Sequence, residues 1–327
     1  MKKINILFFL AITIITTSCK KNEVKQTRLT GGVFGTSYSL IYDSNINYQK
    51  QIDHLFDQLN KSMSNYQTNS IISKVNRNEI DSVDTYFKNV YKASQKIYTE
   101  TKGVFDPTIG TLVNAYGFGS GKKIKHIDSL KRDSLLQFVG LNKTQLINNK
   151  ITKPKGTFID FNAIAKGYAV DVIANFLEQQ QCNNYVVEIG GEIRVKGRNN
   201  KKKSSWKIGI DDPKFDGTES YSKIISLTNC AMATSGTYRK FKVDENGNRY
   251  AHIINALTGS PSKTNVLSVS VIAKNCMVAD GYATAFQAMG IKKVTEFLKT
   301  HPELQVYFIF EDNNKTLKTL NLNGFPE

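Results

Sequence analysis

Residues 164–196 read IAKGYAVDVIANFLEQQQCNNYVVEIGGEIRVK. Ile164, Tyr168, Val172, Ile173, Phe176 and Leu177 recur at the three-to-four-residue spacing of one helix face, and residues 185–196 then turn β-rich. The same spacing holds for Ile52, Leu55, Phe56 and Leu59, for Phe87, Val90, Tyr91, Ser94, Ile97 and Tyr98, and across residues 277–289. Further β-rich runs are expected at 34–41, 206–210, 223–227, 267–273 and 304–310. Helices and strands come in blocks rather than in βαβ alternation, which predicts an α+β fold of mixed, largely antiparallel sheets packed with helices.

The 327 residues, 40% hydrophobic and 22% charged, suffice for a buried core and exclude a disordered or collagen-like chain. A formal charge of +16 raises nucleic acid as a partner, but only 7 of the 44 cationic residues are Arg, the side chain suited to bidentate phosphate and base contacts. Lys is scattered or in short runs such as Lys201, Lys202 and Lys203, so the expectation is a solvated basic surface and no nucleic-acid partner.

Residues 1–18 read as a signal peptide: Lys2 and Lys3, an apolar run over 4–15 too short to span a bilayer, then Thr16, Thr17 and Ser18 before Cys19. This resembles a bacterial lipoprotein signal with Thr16 in place of the usual Leu, so Cys19 is expected to be acylated and the protein exported, lipid-anchored to a bacterial membrane and periplasm-facing. Ordinary cleavage with Cys19 left free is the alternative. Residues 19–28 are read as the lipidated Cys and a polar tether, and 29–327 as one domain. Cys182, Cys230 and Cys276 are isolated and odd in number, which excludes a disulfide scaffold or thiolate metal site.

Five segments carry more Gly, Asp and Thr than a plain core needs. Gly103-Val104-Phe105-Asp106-Pro107-Thr108 reads either as a turn with Asp106 bonded to its own backbone or as a carboxylate aimed at a ligand whose flat face Phe105 covers. Asp160-Phe161-Asn162-Ala163-Ile164-Ala165-Lys166-Gly167 precedes the helix of residues 164–177. Asp160 or Asn162 could cap that helix, or its N-terminus with Lys166 could hold a phosphate. Asp280 and Thr284 stand four apart on one helix face, a hard-oxygen set suited to Mg²⁺ unless Thr284 merely bonds back to its own helix. Ala233-Thr234-Ser235-Gly236-Thr237-Tyr238 is the fourth segment. In the fifth, His252 opens a turn containing Thr258, Gly259 and Pro261, where an exposed base would sit, whereas His54, His126 and His301 are read as surface residues without polar company. The absence of Gly-x-Gly-x-x-Gly after a strand, His-x-x-x-His, Gly-x-Ser-x-Gly and a P-loop argues against dinucleotide-fold, zinc-hydrolase, esterase and nucleoside-triphosphatase readings.

Taken in order, Gly35-Thr36-x-Tyr38, Ser62-x-x-x-Tyr66, Ser70-x-x-Ser73-x-x-Asn76, Phe105-Asp106-Pro107-Thr108, Asp160-x-x-Ala163-x-x-Lys166-Gly167, Gly190-Gly191, Thr234-Ser235-Gly236, His252-Ile253-Ile254 and Ala279-Asp280-x-x-Ala283-Thr284 resemble the ApbE family of FAD:protein FMN transferases. The resemblance runs from about Gly31 to about Gly290 and implies a T-fold-like architecture. It implies that Phe34, Tyr66, Val104, Phe105, Asp106, Asp160, Lys166 and Ile254 line an FAD site, and that Mg²⁺ takes the carbonyl of Ala163 and the side chains of Asp280 and Thr284. It further implies an acceptor protein carrying the flavinylated Thr, a subunit of a membrane redox complex, with AMP released. His252 is the candidate base for that Thr. The chain departs from the family at Asn255-Ala256, in place of Asp-Pro, and at Phe34, in place of Met; Glu192 supplies the acid after Gly191. An Mg²⁺-dependent FAD pyrophosphatase and a lipid-anchored flavin-binding protein without turnover are the competing functions.

Overall fold

A computed structural model describes residues 25–213, 220–237, 241–243, 249–251, 253–262 and 264–327. The signal segment, Cys19 and His252 lie outside them. In chain order the first elements are β1 (Gln26–Val33), β2 (Thr36–Asp43), α1 (Gln49–Met63), α2 (Ile71–Asn76), α3 (Thr85–Glu100), α4 (Gly110–Ala115) and α5 (Ser129–Leu136). A short pair, β3 (Gln145–Ile147) and β4 (Lys150–Thr152), precedes α6 (Ala165–Gln179), β5 (Tyr185–Ile189) and β6 (Glu192–Lys196). Then come β7 (Trp206–Asp211), β8 (Tyr221–Leu227), β9 (Cys230–Gly236), β10 (Phe241–Val243), β11 (Arg249–Ala251), β12 (Ile254–Asn255) and β13 (Ser260–Pro261). The chain ends with β14 (Val266–Ala273), α7 (Cys276–Met289), α8 (Ile291–Phe297), β15 (Gln305–Glu311) and β16 (Leu317–Leu322).

Eight strands form one sheet in the order β1-β2-β5-β6-β9-β14-β15-β16, and each neighbouring pair is antiparallel. The expected α+β class therefore holds. β1 starts at Gln26, so Gln26, Thr27 and Arg28, expected in the tether, already pair in the sheet through Asp43, Tyr42 and Ile41.

The sheet buries both faces, and the period-two alternation of its strands sorts side chains between them. Ala231, Ala233, Val306 and Phe308 point into the larger core beneath α1, α3, α6 and α7. Their neighbours Met232, Tyr307 and Ile309 point the other way, onto Trp206, Ile208 and Ile225 of the β7–β8 hairpin. A third, smaller cluster gathers Leu112, Val139, Ile254 and Ala256.

Two sequence-distant helices cross closely in the larger core. A Cβ on Gly167 of α6 would lie 2.3 Å from the Cys276 carbonyl oxygen and 2.7 Å from Asp280 Cβ, both on α7. Only glycine lets the helices approach this near.

The register separates the two ends of the sheet. Gln26, Asp43, Tyr185 and Lys196 mark one end. The other end holds the β1–β2 turn, with Phe34 and Gly35 at φ 52° and 74°, and the β5–β6 turn, with Gly190 and Gly191 at φ 62° and 101°. These turns touch: Gly190 N–H donates to Ser37 O, and a Cβ on Gly190 would stand 2.8 Å from Thr36 Cγ2.

Candidate active site

The site-bearing loops meet beyond the turn end of the sheet. Asp160 N–H donates 2.7 Å to Pro107 O, joining the loop after α3 to the loop before α6. Asn76 fixes the second loop: its Oδ1 accepts from Ile159 N–H at 2.7 Å and its Nδ2 donates to Ile159 O at 2.8 Å. Asn65 adds a longer bond to the same carbonyl, 3.3 Å, and Ser70 caps α2 by accepting from Ser73 N–H. The Ser-and-Asn motif of residues 62–76 is thus a clamp on the loop that carries Asp160. Nothing in its spacing alone announces that role.

Neither Asp160 nor Asn162 caps α6. Asp160 Oδ1 accepts from Asn162 N–H at 2.8 Å within the loop, and the helix starts one turn later, after Ile164. The N-terminal amide of Gly167 instead donates 2.9 Å to Asp280 Oδ2, on α7. Burial raises the Asp160 carboxyl pKa against the bonds from Asn162 and Asn65. The Tyr66 ring is strongly exposed; its phenol pKa is raised by partial desolvation against the protein surface and then by the Asp160 carboxylate.

Asp106 follows the turn reading. Its Oδ1 accepts from the N–H and hydroxyl of Thr108, and its Oδ2 accepts from Leu141 N–H. Phe105 is 3% exposed within the larger core, so its ring cannot cover a ligand face, and its N–H donates to Thr101 Oγ1. Val104, half-buried between Gly103 and Phe105, is the more open of the two side chains. Ile254 is buried against Leu112 and Ala256. Phe34 stands edge-on to Phe56, ring centroids 5.6 Å apart, and both line an open cavity of about 540 Å³ with Asp53 and Asp57.

The proposed metal set converges from two elements. Thr284 does not turn back on its own helix; its hydroxyl faces Ala163 O at 3.5 Å, across 121 residues of sequence. Asp280 lies one turn earlier on α7 and is buried. Among the described residues no three His, Cys, Asp or Glu side chains form a metal-holding group. A set of one carboxylate, one hydroxyl and one carbonyl is of another kind, and its oxygens suit a hard cation.

Lys166 has a protein partner where the sequence offered it a phosphate. Its Nζ lies 2.5 Å from Glu192 Oε1, at the β5–β6 turn, with the lysine side chain a third exposed and the carboxylate almost fully buried. Burial opposes the ammonium charge, yet the carboxylates of Glu192 and then Asp280 outweigh it and raise the Lys166 pKa. Glu192 is itself raised: burial dominates, Lys166 lowers it and Asp280 raises it. One cation therefore faces two buried acids, and among the described residues Glu192 Oε2 has no hydrogen-bond partner.

Asp171, unremarked in the sequence, completes the helix crossing. Its two oxygens accept from Cys276 N–H at 3.0 Å and Met277 N–H at 2.8 Å, putting negative charge at the N-terminus of α7 where the helix dipole favours it. Arg194 neutralises it at 3.0 Å and also reaches Glu178. The available signal was a lone acid within an otherwise apolar stretch of α6. Thr234 of the fourth segment bonds Ser270 across β9 and β14 at 2.8 Å. His54 and His126 are exposed, but His54 contacts Gln58 and half-buried His301 stacks on Phe297 at 3.9 Å, so these two have company.

The family model described as the ApbE family matches residues 34–308. An FAD:protein FMN transferase of Vibrio cholerae is 36% identical over 301 residues, covering 88% of each chain. One of Haemophilus influenzae is 34% identical over 332 residues, covering 96% of this chain and 95% of the relative. The solved flavin transferase ApbE from Vibrio cholerae superposes with a TM-score of 0.81 at 32% identity, over 91% of this chain and 97% of that one. The apo flavinyl transferase ApbE of Pseudomonas stutzeri gives 0.80 at 25% identity, over 91% and 94%.

Proposed function

The chain belongs to the ApbE family, and on that premise we propose that it transfers FMN from FAD to a threonine hydroxyl of a partner protein in an Mg²⁺-dependent reaction. It is a flavin transferase, with FAD as substrate and a protein as acceptor. The observation that carries the finer reading is the meeting of the Ala163 carbonyl with Thr284 beside buried Asp280.

These residues fit a divalent cation. The set is all oxygen, it has one formal charge, and the partnerless Glu192 Oε2 nearby is in surplus acid. Ala163, Asp280 and Thr284 would hold the ion. Bound Mg²⁺ supplies neutralisation of the charge that develops on pyrophosphate oxygens.

The protein's own groups do the rest. Asn76 and Asn65 fix the loop that places Asp160, and Lys166 brings the remaining cation, held in place by Glu192. The acceptor Thr oxygen attacks the phosphorus of the FMN half, the bridging P–O bond breaks and AMP leaves with its electron pair. His252 takes the Thr proton. Tyr66 and Val104 are open enough to contact the flavin, while buried Phe105 and Asp106 hold the turn that carries Val104.

The test is one incubation of the protein with FAD, Mg²⁺ and an acceptor domain from a membrane redox complex. Covalent yellow fluorescence on the acceptor supports transfer. FMN and AMP without it would make the protein a pyrophosphatase, and intact FAD would leave a flavin-binding protein. A His252→Ala variant that flavinylates at the wild-type rate assigns the base elsewhere. The signal-like residues 1–18 and Cys19 support an exported, lipid-anchored, periplasm-facing form, which mass spectrometry of the Cys19 peptide tests.

A further inference from the structure

The chain enters the sheet at the end opposite the site. Gln26 pairs with Asp43, and the same end carries Tyr185 and Lys196. The loop after Lys196 folds back onto this corner: Asn200 Nδ2 donates 2.7 Å to Asp43 Oδ2, and Arg198 N–H donates to Asn184 Oδ1. Lys201, Lys202 and Lys203 follow at once, all exposed, with exposed Arg198 and Lys25 beside them. Among the described residues two carboxylates are bonded into this corner, and both are engaged: Asp43 by Asn200 and Gln26, and Glu178 by Tyr185, Arg194 and Lys196.

The distances join this cationic corner to the proposed anchor. Seven residue steps separate Cys19 from Gln26, so a fully extended tether reaches roughly 25 Å at most. The tether sequence adds Lys20 and Lys21 against a single acid, Glu23. A basic surface leashed this close to a bilayer complements anionic headgroups.

We propose that the corner formed by Arg198, Lys201, Lys202 and Lys203 is a docking surface for an anionic membrane, standing the sheet on end with its flavin site turned away from the lipid. β1 runs eight residues from Gln26 to the turn at Phe34, so the site end stands roughly 25 Å above the docked corner at ~3.3 Å per residue. The acceptor threonine is then presented at that height rather than at the headgroups. The orientation rests on the lipid-anchor reading; the electrostatic surface does not.

The described residues from Lys25 onward hold all eight strands and the three cores, so a chain starting at Lys20 keeps the fold and lacks the lipid. Its sedimentation with vesicles of phosphatidylcholine alone, and of phosphatidylcholine with one third phosphatidylglycerol, is measured at low and high salt. Binding is expected only to the anionic vesicles, falling steeply with salt. Lys201→Glu with Lys202→Glu is expected to weaken it about tenfold or more, while Lys292→Glu with Lys293→Glu, the same charge change on α8, leaves it unchanged. Absence of binding to anionic vesicles, or equal loss in the two double variants, overturns the proposal. An unacylated Cys19 in the membrane-extracted full chain overturns only the orientation, because the vesicle assay contains no lipid anchor.

Discussion

Asp280 Oδ2 accepts a 2.9 Å hydrogen bond from the backbone N–H of Gly167, so a carboxylate of one helix closes the open end of another. The bond ties the proposed metal ligand to the position where the helices approach nearest. Gly167→Ala places its methyl 2.3 Å from the Cys276 carbonyl oxygen, which is backbone and yields only if α7 moves. A loss of about 1–3 kcal/mol in stability is expected from such overpacking. Thermal unfolding measures it, and the transfer rate is expected to fall further than the folded fraction because Asp280 is displaced.

Asp280→Asn keeps an oxygen for Gly167 and removes the charge. Circular dichroism should be unchanged, the rise in melting temperature given by MgCl₂ should vanish, and transfer should fall on the order of 100-fold. A variant that retains both Mg²⁺ stabilisation and activity excludes Asp280 as a ligand.

Lys166→Met leaves Glu192 and Asp280 without their shared cation. Removing one partner of a buried pair costs about 3–5 kcal/mol, less here because Lys166 is partly exposed. A divalent cation can replace the lost charge, so the variant's melting temperature should respond to MgCl₂ more than the wild type's does. Equal responses in the two proteins would place the ion elsewhere.

Asn76→Ala removes the acceptor from Ile159 N–H and leaves Ile159 O only the longer bond from Asn65. Leaving buried amide groups unmade costs about 1–3 kcal/mol each, and the loop bearing Asp160 is freed. Titration with FAD should show weaker binding even below the melting temperature, whereas a purely structural role would change stability alone.

Glu178 tests the pH dependence. Burial alone would raise its carboxyl pKa, but the bonds from Tyr185 and Lys196, then the charges of Arg194 and Lys196, bring it below its ordinary value of 4.5. A depressed carboxylate contributes stability that is complete above the unfolded value and is lost as pH falls through the folded one. Tyr185→Phe removes the 2.6 Å bond to Glu178 Oε1. Urea unfolding at about pH 7 and about pH 3.5 should show the variant losing less stability on acidification than the wild type.

The long amphipathic elements were legible because their faces repeat: α1, α3, α6 and α7 lie where Ile52, Phe87, Ile173 and residues 277–289 put them. β9 was not, since CAMATSG has small residues where a strand would show branched ones; its alanines fit because α7 packs directly over them. β1 was hidden by its polar residues, which an edge strand exposes to water. The oxygens of Asp280 and Thr284 could be paired from their spacing. The clamps around them could not, because Asp171, which holds the start of α7, and Asn76, which holds the loop bearing Asp160, act on backbone more than 80 residues away.

The contact between Ala163 and Thr284 spans 121 residues, and the capping of α7 by Asp171 spans 105. Closing such long loops is the slow, entropically costly part of folding, and no single local element contains the whole site, since α7 supplies Asp280 and Thr284 but not Ala163. α7 follows β14 in the chain and packs on β9 and β14 as well as on α6. Flavin and metal affinity should therefore appear late and together in refolding, after helix content has recovered, and a chain halted before β14 should hold neither.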